Sequence, residues 1–268
     1  MSSVKRALIM ACAVVVAAAF GPITAAAGDA NLTPGTLSSS VSLKVSLPTP
    51  YEVVTTPTLA LQVTASGYQL DARYAGTPDL AYVGHYHEIL DGRLVDMTPL
   101  RDGNRDTVSM VGVTDGLHML TIVPANNDHS MVMSAAVTIP FYYEGPYLPE
   151  PGAPGFTSAP SITITSPANG STVQGSFFYM SANVQNFELC QECFGKADVT
   201  GVGHWHIFLD QVGMPYMLTM AGGTTQMVSI VGVSPGWHTF YALLVGNDHM
   251  PIMPMTMSMV MLYVQPSS

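Results

Sequence analysis

VGHYHEILDG, residues 83–92, decides how the chain is read, because VGHWHIFLDQ at 202–211 repeats it as V-G-H-aromatic-H-x-x-L-D. Two histidines one residue apart in an apolar run lie on the same face of a β-strand, since strand side chains alternate. Sliding the chain against itself at an offset of 119 aligns 42–91 with 161–210 and pairs Pro48 with Pro167, Gly76 with Gly195, His85 with His204 and Asp91 with Asp210. One inserted residue then moves the offset to 120, where VSMVGVTDGLHMLTIVPANNDH (108–129) lies on VSIVGVSPGWHTFYALLVGNDH (228–249). A period near 120 residues is the size of a domain rather than of a solenoid unit.

Short alternating runs such as VSLKVSL (41–47) and SITITSP (161–167), turn signals at 91–92, 115–116 and 235–236, and no 3.6-residue periodicity predict an all-β chain of two tandem antiparallel β-sandwich, immunoglobulin-like domains. The boundaries expected are a first repeat over 28–142, a linker YEGPYLPEPGAPGFTSAP over 143–160 with five prolines and three glycines, and a second repeat over 161–268.

Residues 1–27 read as a signal peptide: Lys5 and Arg6 precede an apolar run from Ala7 to Phe20, and Ala25, Ala26 and Ala27 supply the cleavage pattern. The residues before Cys12 do not make a lipobox. Export places the mature chain, from Gly28, in a periplasmic or extracellular setting. No later apolar run reaches the roughly 20 residues of a membrane helix, so no membrane span is expected. Of the 8 basic residues two leave with the signal and none of the 18 acidic ones do, giving a mature formal charge of 6 − 18 = −12. That balance excludes nucleic acid, whose phosphates need Lys and Arg.

All 8 histidines belong to the repeat: His85, His87, His118 and His129 in the first copy, His204, His206, His238 and His249 in the second. Each set of four is a candidate metal site, placed by the pattern at the end of a sandwich: two ligands on one strand, one at the start of a second, one in the N-D-H turn that follows. Asp91 and Asp210 read as hairpin residues, and Asp128 and Asp248 as turn residues able to orient an imidazole. The competing reading makes each histidine a hydrogen-bonded structural residue.

Methionine, 18 in all, clusters after the last histidine of each copy, in HSMVM (129–133) and HMPIMPMTMSMVM (249–261). Thioethers with imidazoles suit copper, Cu(I) above all, with zinc as the alternative. Met131, Met250 and Met253 are therefore possible further ligands, whereas Met255, Met257, Met259 and Met261 are expected mostly to fill a core. Cys190 and Cys193 occur in the second copy only, as a small disulfide loop or, alternatively, as further metal ligands.

The pattern G-H-x-H-x-x-L-D, G-x-H, N-D-H resembles that of secreted bacterial and archaeal immunoglobulin-like domains, a resemblance that covers most of each repeat and implies the fold without a chemistry. More locally, His85-Tyr86-His87-Glu88 is similar to the H-x-H-E strand of copper/zinc superoxide dismutases, also Greek-key sandwiches, whose two histidines bind copper. That likeness implies copper at His85 and His87, and less closely at His204 and His206. The second copy has Ile207 where the glutamate would stand, and neither the zinc loop nor the active-site arginine segment is found. The sequence therefore predicts an exported copper protein serving sequestration, delivery or tolerance, its partners the metal ion and an exported cuproenzyme or another copper carrier. A dismutase-type oxidoreductase and a metal-free surface module are the alternatives. No catalytic residue is assigned: no nucleophile or carboxylate constellation suggests hydrolysis, and phosphate-binding glycine loops are absent.

Overall fold

Period-two alternation is what buries a sandwich strand on one face, and TLALQVTAS at Thr58–Ser66 shows it, with Leu59, Leu61 and Val63 inside and Thr58, Ala60 and Thr64 outside. The computed structural model describes residues 41–97 and 105–265, all within one compact unit, Pro34–Ser268. The predicted signal segment, 1–27, lies outside the described residues.

The first repeat holds β1 (Ser42–Leu47), β2 (Glu52–Val54), β3 (Thr58–Ser66), β4 (Gln69–Leu70), β5 (Val83–Leu90), β6 (Arg93–Asp96), β7 (Arg105–Ser109), β8 (Gly116–Ala125) and β9 (Val137–Tyr143). The second holds β10 (Ser161–Ser166), β11 (Thr172–Gln174), β12 (Phe177–Gln185), β13 (Glu188–Leu189), β14 (Val202–Leu209), β15 (Met217–Ala221), β16 (Thr225–Ser229), β17 (Gly236–Gly246) and β18 (Met257–Gln265). Among the described residues no α-helix occurs, and no helix is long and apolar enough to cross a membrane.

Each repeat is a sandwich of a three-stranded sheet, β1-β3-β7 or β10-β12-β16, and a six-stranded one. The larger sheets run β2-β9-β8-β5-β4 with β6 on β5, and β11-β18-β17-β14-β13 with β15 on β14. Both are immunoglobulin-like: the ladders are antiparallel except where the short strands β2, β4, β11 and β13 join in parallel. Asp91-Gly92, both with positive φ (50° and 82°), make the tight turn from β5 to β6 that the sequence signals.

Two cores fill the sandwiches, one around Leu61, Ile122 and Phe141, the other around Trp205, Phe240 and Leu262. A third cluster joins the repeats: Met97 and Leu94 pack with Phe194, Phe208, Met217, Met220, Leu243 and Val245. Hydrogen bonds cross the same seam, from Lys196 Nζ to the Ser109 carbonyl (3.0 Å) and from Ser229 Oγ to the Arg73 carbonyl (2.8 Å). The Pro/Gly-rich segment touches both repeats, the Leu148 carbonyl accepting from Gly112 N (2.8 Å) and the Ala159 carbonyl from Asn186 Nδ2 (3.0 Å).

The last strand departs from expectation. Met255, Met257, Met259 and Met261 are about half exposed or more, while Val260, Leu262 and Val264 are buried. The alternation is as read, but the apolar β-branched and leucine positions take the inner face and the thioethers the outer one.

Phe240 is fully buried and meets Phe178 edge to face, ring centroids 5.2 Å apart. Phe240→Ala is predicted to cost about 3–5 kcal/mol in denaturant unfolding; a loss below about 1 kcal/mol would mean the second core is not packed around this ring.

Candidate metal centre

Every residue of β14, VGHWHIFL, is buried. Trp205, Ile207 and Leu209 belong to the core of their own sandwich; by strand alternation His204, His206 and Phe208 project from the opposite face, where Phe208 belongs to the seam between the repeats. β5 repeats the arrangement, with Tyr86 and Leu90 in its own core and His85 and His87 pointing away from it. The histidine pairs therefore sit on the outer face of each large sheet, beside the other repeat, rather than at the end of a sandwich.

The third histidine comes from the turn after the neighbouring strand. His129 and His249 each take a left-handed φ of 66°, a conformation uncommon for residues other than glycine but one in which histidine, with Asn and Asp, is enriched. Each is pinned by its own loop: His129 N donates to the Asn126 carbonyl (2.9 Å) and His249 N to the Gly246 carbonyl (3.1 Å), and the bridges Ala125–Met131 and Val245–Pro251 close the two loops.

His85 Nε2, His87 Nε2 and His129 Nδ1 consequently face one another at 3.1, 3.1 and 3.3 Å. In the second repeat His204 Nε2, His206 Nε2 and His249 Nδ1 do so at 3.0, 2.9 and 3.4 Å. Both trios can hold a metal ion. A point equidistant from three nitrogens so spaced lies about 1.8 Å from each, and a shift of about 1 Å along the normal brings it to the 2.0–2.1 Å of a metal–imidazole bond. The donor set thus fits one ion per repeat, three-coordinate or capped by a fourth ligand.

One tautomer in each trio is set by hydrogen bonding. His129 Nε2–H donates to the Met217 carbonyl (2.7 Å) and His249 Nε2–H to the Leu94 carbonyl (2.9 Å), so that Nδ1 carries the lone pair turned toward the other two rings. Nδ1 of His85, His87 and His204 has no hydrogen-bond partner among the described residues. Burial holds all six imidazoles neutral. Desolvation, reinforced by the neighbouring imidazoles, takes His85, His204 and His206 well below the usual histidine range and His87 to about 3; desolvation also takes His129 to about 4 and lowers His249, against the opposing pull of the carbonyl each donates to and of the adjacent Asp128 or Asp248. His249 contributes to the lowering at His87, and His129 to that at His206, so each trio lies within electrostatic reach of the other.

His118 and His238 stand elsewhere. The ring nitrogens of His118 face the Asp91 carboxylate (2.7 Å) and the Thr114 carbonyl (2.8 Å), and those of His238 the Asp210 carboxylate (2.8 Å) and the Ser234 carbonyl (2.9 Å). With both nitrogens so engaged, and at the far end of β8 or β17 from the third histidine, they are outside the trios. Asp91 and Asp210 also accept from Met119 N and Thr239 N (2.9 Å each), tying the β5–β6 turn to β8 and the turn after β14 to β17. Asp128 and Asp248 serve their turns, accepting from Ser130 N and Met250 N; the second nitrogen of the adjacent histidine goes instead to a backbone carbonyl of the other repeat. Glu88 projects from the face of β5 opposite His85 and His87.

Cys190 and Cys193 form a disulfide, and the loop it closes lays Phe194 against His204, ring centroids 4.2 Å apart. The first copy has Ala75 at the aligned position. Met131, Met250 and Met253 are exposed, Met253 by 84%, in contrast with the buried imidazoles. Sequence reasoning missed Leu94 and Met217, which act through backbone atoms and so carry no side-chain signal.

Neutral buried histidines fix the sign of a pH dependence. The unfolded chain binds protons near pH 6.5 and the folded one only near 3 to 4 at His87 and His129, so the unfolded state holds more protons between those limits. Stability of the metal-free protein is complete above about pH 6.5 and is lost as pH falls toward 4, at up to about 1.4 kcal/mol per pH unit for each such histidine. Urea unfolding at pH 7 and pH 5 checks this; equal midpoints at both would contradict the buried neutral trios.

No protein-family model matches the chain, and no curated protein matches it. Among solved structures it is similar to the fibronectin(III)-like modules of Clostridium thermocellum CbhA, at 11% identity and a TM-score of 0.28 over 84% of this chain and 94% of that one. It is also similar to three N-terminal domains of the bacteriophage RB49 highly immunogenic outer capsid protein, at 10% identity and a TM-score of 0.24 over 85% and 70%. At these scores the likeness carries no assignment of a site; the fold stands on the strand pairing itself.

Proposed function

We propose that the chain is an exported metal-binding protein that takes one ion at His85, His87 and His129 and a second at His204, His206 and His249, and that the metal is copper, held for sequestration, delivery or tolerance. The observation that carries the reading is the convergence of three buried imidazole nitrogens at 3.1–3.3 Å, repeated at 2.9–3.4 Å in the second copy. Three neutral imidazoles are good donors to copper and to zinc alike. Copper is favoured by its place in the affinity order for nitrogen donors. The Cys190–Cys193 disulfide suits an oxidising compartment, in keeping with export after a signal peptide over 1–27 and domains over 28–142 and 161–268 joined by the 143–160 linker. The partner would be an exported cuproenzyme or another copper carrier.

Calorimetric titration of the stripped protein with Cu(I) under reductant, Cu(II) and Zn(II) tests this. The expected result is two equivalents of copper bound more tightly than zinc, one lost in His85→Ala/His87→Ala and the other in His204→Ala/His206→Ala. Absence of binding at micromolar metal would leave the trios as packing in the seam.

A further inference from the structure

We infer that each metal site is completed in trans, the Met217 carbonyl of the second repeat positioning His129 in the first site and the Leu94 carbonyl of the first repeat positioning His249 in the second. The two repeats thereby build one two-ion unit. This rests on the metal reading above and adds to it which groups orient the ligands. A ligating imidazole is held by what its other nitrogen binds, and loss of that partner commonly weakens metal affinity 10–100-fold. Here the partner comes, in both sites, from the other repeat.

The connection closes on itself. Met217 opens β15, which pairs with β14 so that Met220 lies opposite His206. Leu94 lies in β6, opposite Ile89 of β5, two residues beyond His87. The strand that carries one site's histidine pair is therefore bonded to the strand whose carbonyl orients the other site's third ligand.

A pair of glycines holds both joints. Gly76 and Gly195, aligned in the repeat, have φ of 73° and 68°. Gly76 N donates to the Asn127 carbonyl (2.7 Å) and Gly195 N to the Asn247 carbonyl (2.8 Å), each two residues before the third histidine. A Cβ on Gly76 would lie 2.5 Å from the Met217 oxygen, and one on Gly195 would collide with the Leu94 oxygen. Only glycine lets the ligand loop and the opposite carbonyl approach this closely.

The test uses the full chain in single-site backgrounds. With His204→Ala/His206→Ala leaving only the first site, Gly76→Ala is expected to weaken copper binding about 10–100-fold and Gly195→Ala to leave it within about twofold. With His85→Ala/His87→Ala leaving only the second, the two effects exchange. Gly175→Ala, at a φ of 89° with no neighbour within 4 Å, controls for backbone strain and should change neither. Long-range proton–nitrogen NMR of the metal-free wild-type protein should show His129 and His249 as Nε2–H tautomers, a readout that needs neither metal nor a folded variant. Equal losses at both sites, no loss at either, or Nδ1–H tautomers would overturn the assignment. A wild-type protein that binds no metal but shows Nε2–H at both rings would refute the metal reading and, with it, this one, while leaving the hydrogen bonds themselves intact.

Discussion

A β-strand has two faces, and in each repeat the strand carrying the H-x-H pair has both of them buried. One face belongs to the sandwich to which the strand belongs, through Tyr86 and Leu90 or through Trp205, Ile207 and Leu209. The other is covered by the neighbouring repeat, where the residues pointing outward are histidines. Everything at the centre follows from this. Water is excluded, so the imidazoles stay neutral; neutral imidazoles offer lone pairs; and the left-handed turn at His129 and His249 brings a third nitrogen to the same point. Charged residues in those positions would each carry a desolvation cost of several kcal/mol, whereas neutral nitrogens can be held in reserve for an ion.

The duplication makes the burial reciprocal. A single sandwich would leave its histidine face in water, and a second copy covers it. Here the second copy is in the same chain, held by a segment that touches both repeats, by the methionine and phenylalanine cluster, and by the hydrogen bonds of Lys196 and Ser229. The repeats are not equivalent around their sites. Phe194, carried by the disulfide loop, packs on His204 and His249, whereas the aligned residue in the first copy is Ala75. Two ions, each held by its own repeat's trio of histidines, would thus meet different walls.

Much of this was legible in the sequence, for reasons that mark where the legibility stops. Period-two alternation and turn chemistry give strands and hairpins because both act over a few residues, and a repeat with matched histidine spacing marks those residues as a set. Strand geometry shows why four histidines per repeat become three. His118 begins β8 and His129 follows its end, and at roughly 3.4 Å per residue an extended strand holds them more than 20 Å apart. His118 instead belongs to the Asp91 hairpin. The methionines of β18 alternate as read, but alternation does not name the inner face, and a shift of one residue exchanges the two faces. Nothing in the side chains of Leu94 or Met217 announces a role played by their carbonyls; the aligned Gly76 and Gly195 were the only trace of it.

The central claim is that the buried trios are metal ligands, and X-ray absorption at the copper edge of the loaded protein addresses it most directly. The account predicts a first shell of about three imidazole nitrogens near 2.0 Å, with the outer-shell scattering of histidine rings and no sulfur from Cys190, Cys193 or the exposed methionines. A first shell dominated by sulfur, or by water and carboxylate oxygen without imidazole scattering, would contradict it.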